Sequence, residues 1–182
     1  SGGIEEVVVT AEKREQNLQD VPSSITAVSD TEIERGTYQN IFDLQTSVPS
    51  LVVGSAGASR PFFFIRGVGS RKFDPGTEGA VGVFVDEIYN TRFTNSMMDL
   101  VDLDRVEVLK GPQGTLYGRN SVVGTLNIVT AKPNFDIQGG SLNLVGGQLN
   151  EAGLRAHYNL PINEKLALRF AYMEQSKDSF ID

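Results

Sequence analysis

The sequence predicts an α+β domain of short strands and two short helices, followed by a segment of purely antiparallel strands. Three observations predict it. Nineteen glycines beside ten phenylalanines and five tyrosines in 182 residues favour many turns and strands over long helices. Apolar residues recur at helical spacing only between about residues 30 and 48. After Pro133 a period of two takes over. A chain of 182 residues with 40% hydrophobic content is long enough to bury a sizeable core.

The first 36 residues hold eight acids against three bases, with almost no large apolar side chain before Leu18, so residues 1 to about 20 read as a flexible arm. Within it Val7-Val8-Val9-Thr10 has high β-propensity and no neighbouring strand to pair with. Ser29-Asp30-Thr31-Glu32 has capping-box spacing, and Gly36 supplies a stop, which predicts a helix over about 30–35. Tyr38, Ile41, Leu44 and Val48 then predict a second short helix ended by Pro49. Strands follow over Phe62 to Arg66, Val81 to Asp86, Arg105 to Lys110 and Thr125 to Thr130, separated by polar loops at about 67–80 and 89–99.

Beyond Pro133, Leu154, Ala156, Tyr158 and Leu160 share one parity while Arg155, His157 and Asn159 share the other. Leu166, Leu168, Phe170 and Tyr172 repeat the pattern after a turn at Pro161 to Lys165, and Ser141 to Val145 makes a weaker first strand. One apolar face opposite one polar face suits either a transmembrane barrel or a soluble meander.

Composition removes several function classes. A net charge of −7 opposes a nucleic-acid partner, which needs concentrated Lys and Arg. With no cysteine and one histidine, His157, disulfides, thiolate metal sites, cysteine nucleophiles and multi-histidine metal centres are excluded. Gly111 to Gly118 lacks the Lys-Ser/Thr ending of a phosphate loop, and Gly57-Ala58-Ser59-Arg60-Pro61 fails as a nucleophile elbow. No catalytic constellation stands out, so the chain is not expected to be an enzyme, and no cofactor or bound metal is expected.

Three stretches together point further. Glu5-Glu6-Val7-Val8-Val9-Thr10-Ala11 resembles the TonB box of TonB-dependent outer-membrane receptors, and Phe64-Ile65-Arg66-Gly67 resembles a strand of their plug domain. The run from Leu103 to Asn120, containing Val106-Glu107-Val108-Leu109-Lys110-Gly111-Pro112-Gln113-Gly114, and its continuation Leu126 to Pro133 are similar to the plug's most recognisable signature. Val81-Gly82-Val83-Phe84-Val85-Asp86 matches the preceding plug strand. The chain departs from the pattern at Asn120-Ser121-Val122-Val123-Gly124, which keeps only Gly124 of the usual small residue and glycine pair, at Lys110, where arginine is common, and at Glu87, where glycine commonly follows the aspartate.

The resemblance implies an arm at 1–20 carrying the box, a plug at 21–135, and the first three strands of an incomplete β-barrel at 136–182. The whole would be a plugged barrel of about 22 strands, of which this chain is the N-terminal part. It implies an outer-membrane receptor of a Gram-negative bacterium, in contact with outer-membrane lipid, with the plug inside the barrel and the arm in the periplasm. Its work would be active uptake of a scarce small-molecule ligand such as a ferric siderophore or similar metal chelate. The periplasmic C-terminal domain of TonB would supply the energy. With no domain ahead of the box, transcriptional signalling is not expected; a non-transporting adhesion or scaffold protein with a degenerate plug is the alternative.

By the same resemblance, Glu5, Glu6, Val7, Val8, Val9, Thr10 and Ala11 bind TonB by strand addition. Arg66 and Lys110 restrain the plug by pairing with barrel-wall glutamates, Lys110 the more weakly because it offers a point charge in place of a fork. Arg60, Arg71, Lys72, Phe73, Tyr89, Arg92 and Phe93 lie on outward loops expected to contact the ligand, cations beside aromatics suiting an anionic, partly apolar chelate.

Overall fold

A computed structural model of the chain describes residues 8–10, 16–17, 21, 24–35, 38, 40–55, 61–71, 79–90, 101–118, 121–147 and 150–176. The chain divides into two compact units, Ser1–Thr130 and Ala131–Asp182.

In the first unit β1 (Val8–Val9) and β2 (Gln16–Asn17) precede β3 (Ser24–Ser29) and α1 (Asp30–Arg35). The expected capping box is present: Ser29 N–H donates to Glu32 Oε2 at 3.0 Å and Glu32 N–H donates to Ser29 Oγ at 3.3 Å. Gly36, the expected stop, lies outside the described residues. The second helical run forms a 3-10 helix, Ile41–Thr46, capped by Asn40 and Asp43, with Ile41, Leu44 and Val48 all buried.

Strands then dominate: β4 (Leu51–Ser55), β5 (Pro61–Ile65), β6 (Val68–Gly69), β7 (Val81–Val85), β8 (Ile88–Tyr89), β9 (Leu103–Lys110) and β10 (Gly124–Thr130), with a one-turn helix α2 (Gly114–Tyr117) between the last two. The main sheet has the order β3-β9-β10-β7-β8; β7 and β10 run parallel and its other pairs antiparallel. A second, antiparallel sheet has the order β4-β5-β6. Val28, Val106, Val108, Leu126 and Ile128 of the main sheet pack with Leu51, Val53, Phe63 and Ile65 of the second, and Ile33, Ile41 and Leu44 complete this core. Close approach is built in at Gly124, where a Cβ would stand 2.4 Å from the Leu109 carbonyl oxygen and 2.8 Å from Ile65 Cδ1.

β6 and β8 fall where polar loops are expected, because two tight turns reverse the chain earlier than its composition suggests. Arg66 and Gly67 have φ of 54° and 77°, and Asp86 and Glu87 have φ of 47° and 67°, so each pair supplies the two positive-φ positions of a two-residue hairpin. Glu87 therefore adopts the conformation for which glycine is the usual residue.

The second unit is a three-stranded antiparallel sheet of β11 (Gly139–Gly146), β12 (Ala152–Asn163) and β13 (Leu166–Ser176). The register keeps the alternation: Leu144 faces Leu154, Ala156 faces both Leu142 and Tyr172, and Tyr158 faces Phe170. Leu142, Leu144, Tyr158, Leu168, Phe170 and Tyr172 of this face are exposed. On the opposite parity Ser141 faces His157 and Asn143 faces Arg155. Asn159, only 3% exposed, donates to the Asn134 and Ile137 carbonyls and accepts from Asn134 N–H, fixing the segment that leads into the sheet.

Candidate functional site

The main sheet has a second face, and its chemistry differs from that of the core. Alternation along β9 turns Val106 and Val108 toward the core and Glu107 and Leu109 away from it; along β10, Asn127 lies opposite Glu107 in register. Glu107 is nonetheless 0% exposed. A carboxylate this deep requires partners, and it has them. Asn127 Nδ2 donates to Oε2 at 3.1 Å and Arg105 Nε donates to Oε1 at 2.7 Å. Arg105 also pairs with Asp104. Burial alone would lower the pKa of Arg105, but hydrogen bonding and attraction to Glu107 outweigh it, and the guanidinium titrates above its ordinary range.

The remaining partner is Thr10. Its N–H donates to Glu107 Oε1 at 2.6 Å and its hydroxyl donates to the same oxygen at 3.0 Å, while Arg105 donates to that hydroxyl. The Tyr117 hydroxyl donates to the Thr10 carbonyl at 3.3 Å. Burial first, then the charges of Glu107 and Glu87, push the Tyr117 phenol up to about 12. Its ring packs edge-on against Phe84, with centroids 4.9 Å apart. Beside Thr10, Val9 is 0% exposed and clusters with Val21, Ile25 and Ala27.

This corrects the expectation that the valine-rich stretch has nothing to pair with. Val8 and Val9 pair antiparallel with Asn17 and Gln16. Val9 and Thr10 cover the polar face of the main sheet, a long-range contact that local composition does not reveal. Glu5, Glu6, Val7 and Ala11 lie outside the described residues.

Arg66 and Lys110, expected to reach barrel-wall acceptors, both engage β3. Arg66 Nη2 donates to Ser24 Oγ at 3.0 Å and Lys110 Nζ donates to Thr26 Oγ1 at 2.7 Å. Among the expected ligand contacts, Arg71 is exposed and its guanidinium stands 4.8 Å from the Phe62 ring centroid and 5.5 Å from that of Phe64. Tyr89 leans on Phe84 with centroids 5.3 Å apart. Arg60, Lys72, Phe73, Arg92 and Phe93 lie outside the described residues. His157 Nδ1 meets Ser141 Oγ at 3.1 Å on the polar face of the second unit. No cluster of three or more metal-ligating side chains occurs among the described residues.

Arg105, Glu107, Tyr117 and Asn127 lie within the plug signature, but no site role is expected of them from sequence. One signal was present: Leu109 shares the parity of Glu107, so the second face of this strand is also partly apolar.

Comparison with known proteins agrees with this architecture. Residues 17–125 match the family described as the TonB-dependent receptor plug domain. The vitamin B12 transporter BtuB of Vibrio vulnificus is 32% identical over 130 residues, which cover 68% of this chain and 20% of that protein. The ferrioxamine B receptor of Salmonella typhimurium is 29% identical over 168 residues, covering 88% of this chain and 23% of the receptor. Among solved structures, the pyoverdine receptor FpvA of Pseudomonas aeruginosa superposes with a TM-score of 0.79 at 26% identity, covering 96% of this chain and 25% of FpvA. The ferric yersiniabactin receptor FyuA of Yersinia pestis gives 0.68 at 27% identity, covering 78% of this chain and 22% of FyuA. The chain thus spans about a fifth to a quarter of the length of these relatives. A plug sheet followed by amphipathic antiparallel strands, together with the match over 17–125, shows that the chain belongs to the TonB-dependent receptor family and carries its plug domain.

Proposed function

We propose that this chain is the plug and first barrel strands of an outer-membrane receptor that actively takes up a scarce small molecule, a ferric siderophore or a similar metal chelate. The observation that carries the reading is the joining of a family plug to a sheet with one continuous exposed apolar face, the arrangement a barrel wall needs in lipid. Relatives named as receptors for ferrioxamine B and ferripyoverdine, and as a vitamin B12 transporter, support the ligand class. The receptor resides in the outer membrane of a Gram-negative bacterium, with its arm in the periplasm.

The segment Glu5 to Ala11 binds TonB by adding a strand to its sheet edge, so that backbone groups supply the affinity and the pull is transmitted along the arm. Arg66 and Lys110 restrain the plug and exchange their hydroxyl partners on β3 for barrel-wall carboxylates. Arg71, stacked on Phe62 and Phe64, presents an oriented guanidinium edge to an anionic chelate, with Arg60, Lys72, Phe73, Tyr89, Arg92 and Phe93 as further contacts. The work is conformational, with no bond made or broken by the chain.

The test is Val8→Pro in the full-length receptor, assayed with ferrioxamine B and ferripyoverdine carrying radioactive iron and with labelled cobalamin. Proline removes a backbone donor, so surface binding should persist while uptake is lost. Equal loss of both, or of neither, overturns the assignment of the box.

A further inference from the structure

The chain between β10 and β11 is gripped at two places. Thr130, the last residue of β10, donates from its N–H to Asp86 Oδ1 at 2.9 Å and from its hydroxyl to Asp86 Oδ2 at 2.7 Å. Asp86 donates its own N–H to the Ile128 carbonyl at 2.9 Å, so the β7–β8 turn holds the end of β10 at two residues. Further along, Asn134 is gripped by Asn159. Asn159 Oδ1 accepts from the Asn134 N–H at 2.8 Å, and its Nδ2 donates to the Asn134 carbonyl at 2.8 Å and to the Ile137 carbonyl. The Asn134 side chain shapes this segment by accepting from the Asp136 and Ile137 N–H groups at 2.7 and 3.1 Å. Asn159 is a firm anchor, because it stands in the central strand β12 with Gly139 paired on one side and Arg169 on the other. Between the two grips lie Ala131, Lys132 and Pro133, in neither helix nor strand, and Pro133 biases Lys132 toward extended backbone.

The length of this stretch has a consequence for transport. A fully extended chain covers about 3.3–3.6 Å per residue, so Thr130 and Asn134 can stand at most about 13–14 Å apart. Without the Asn159 grip the slack would run to Gly139, where β11 begins, and the span would grow to about 30 Å. We propose that Asn159 and Asp86 are positioning residues for transport, which shorten the connection to Ala131–Pro133 and so limit how far a pull on the arm can carry the plug from the strands that follow it. The inference rests on the reading of the arm as the segment that TonB pulls, and it adds what bounds the movement. An opening wider than this tether must then come from rearrangement within the plug. The grip can be removed without unfolding the sheet, because residues 134–138 are exposed and water can satisfy the groups that Asn159 releases.

Two variants lengthen the tether by different routes. Asn159→Ala opens the grip, whereas a short Gly-Ser-Gly-Ser-Gly insertion after Lys132 adds slack and leaves the grip closed. In the detergent-solubilised chain the Asn134 amide should exchange about tenfold faster in Asn159→Ala than in the parent, and at the parental rate in the insertion variant. In cells carrying the full-length receptor, both variants should raise sensitivity to vancomycin at least about twofold, in step with the doubled reach, and only where TonB is present. A merely structural role for Asn159 would produce no leak from the insertion and no dependence on TonB. An Asn134 amide that exchanges as fast in the parent as in Asn159→Ala overturns the grip. Unchanged vancomycin sensitivity of the insertion variant, in a receptor whose uptake Val8→Pro abolishes, overturns the limit on reach. Sensitivity raised equally with and without TonB, or uptake that survives Val8→Pro, overturns the TonB reading, while the exchange rates still decide whether Asn159 holds the segment.

Discussion

Replacing Glu107 by leucine isolates what the buried carboxylate contributes. Glu107 accepts from Thr10 twice, from Arg105 and from Asn127, and it is fully buried. Two effects oppose one another. Removing a charge from the interior relieves its desolvation, and exchanging a whole buried ion pair for apolar residues is often neutral or stabilising. Glu107→Leu removes only one partner, however, and leaves the Asn127 amide without its acceptor and the Arg105 guanidinium with Asp104 as its one remaining carboxylate; Asn127 Oδ1 already lacks a partner. Breaking a buried pair in this way costs about 3–5 kcal/mol, which outweighs the roughly 1.5–3 kcal/mol expected from burying a leucine side chain. Glu107→Gln keeps the shape and an acceptor oxygen, so it should cost about 1–2 kcal/mol, the difference between charged and neutral hydrogen bonds. Native-state hydrogen exchange over β9 and β10 in the detergent-solubilised chain reads both. The double change Glu107→Leu with Arg105→Met should recover part of the leucine penalty, a coupling visible in a double-mutant cycle. A Glu107→Leu chain at least as stable as the parent would refute the reasoning, because desolvation would then dominate the pair.

Three further outcomes follow from local geometry. Glu87→Gly should stabilise the plug by about 0.5–1 kcal/mol in the same exchange assay: the φ of 67° costs an L-residue about 1–2 kcal/mol, against about 0.4–1 kcal/mol for glycine's greater unfolded freedom. A loss of stability would show that the Glu87 side chain contributes more than its backbone costs. Gly124→Ala should destabilise by about 1–3 kcal/mol, since its Cβ would stand 2.4 Å from the Leu109 carbonyl oxygen and β9 would have to shift; unchanged exchange in β9 and β10 would contradict this. Tyr117 has its pKa raised to about 12, so the neutral phenol's contribution is fully present below pH 10 and is lost as pH rises toward 12. Stability should fall across that window by about 2–3 kcal/mol, and Tyr117→Phe should flatten the slope.

The sequence carried its information unevenly, and the reason is physical. The second unit was legible because each strand's own parity is a local property: Leu154, Ala156, Tyr158 and Leu160 share one face of their strand and Leu166, Leu168, Phe170 and Tyr172 one face of theirs, and the observed register sets Tyr158 opposite Phe170. The capping box at Ser29 and Glu32 was legible for the same reason, being a contact of span three. β3 and β4 were not, because Ser24–Ser29 is mostly small and polar and Leu51–Ser55 offers only a three-residue apolar run before Gly54; both become strands through their neighbours β9 and β5. β8 was hidden by its turn, since Asp86-Glu87 is not a glycine-bearing hairpin signal.

The docking of the arm was the least legible feature, although each of its residues is ordinary. Thr10 and Glu107 are 97 residues apart, so no window of sequence contains both. The valine-rich stretch could be recognised as a strand without a partner, and Glu107 as a charge inside an apolar strand; each is a local inconsistency when taken alone. Together they satisfy one another: the strand lacks a surface and the carboxylate lacks donors. A disordered valine-rich tail would leave Glu107 exposed to water, and a plain surface glutamate would leave Val9 uncovered. That both residues are fully buried is what ties the arm to the plug.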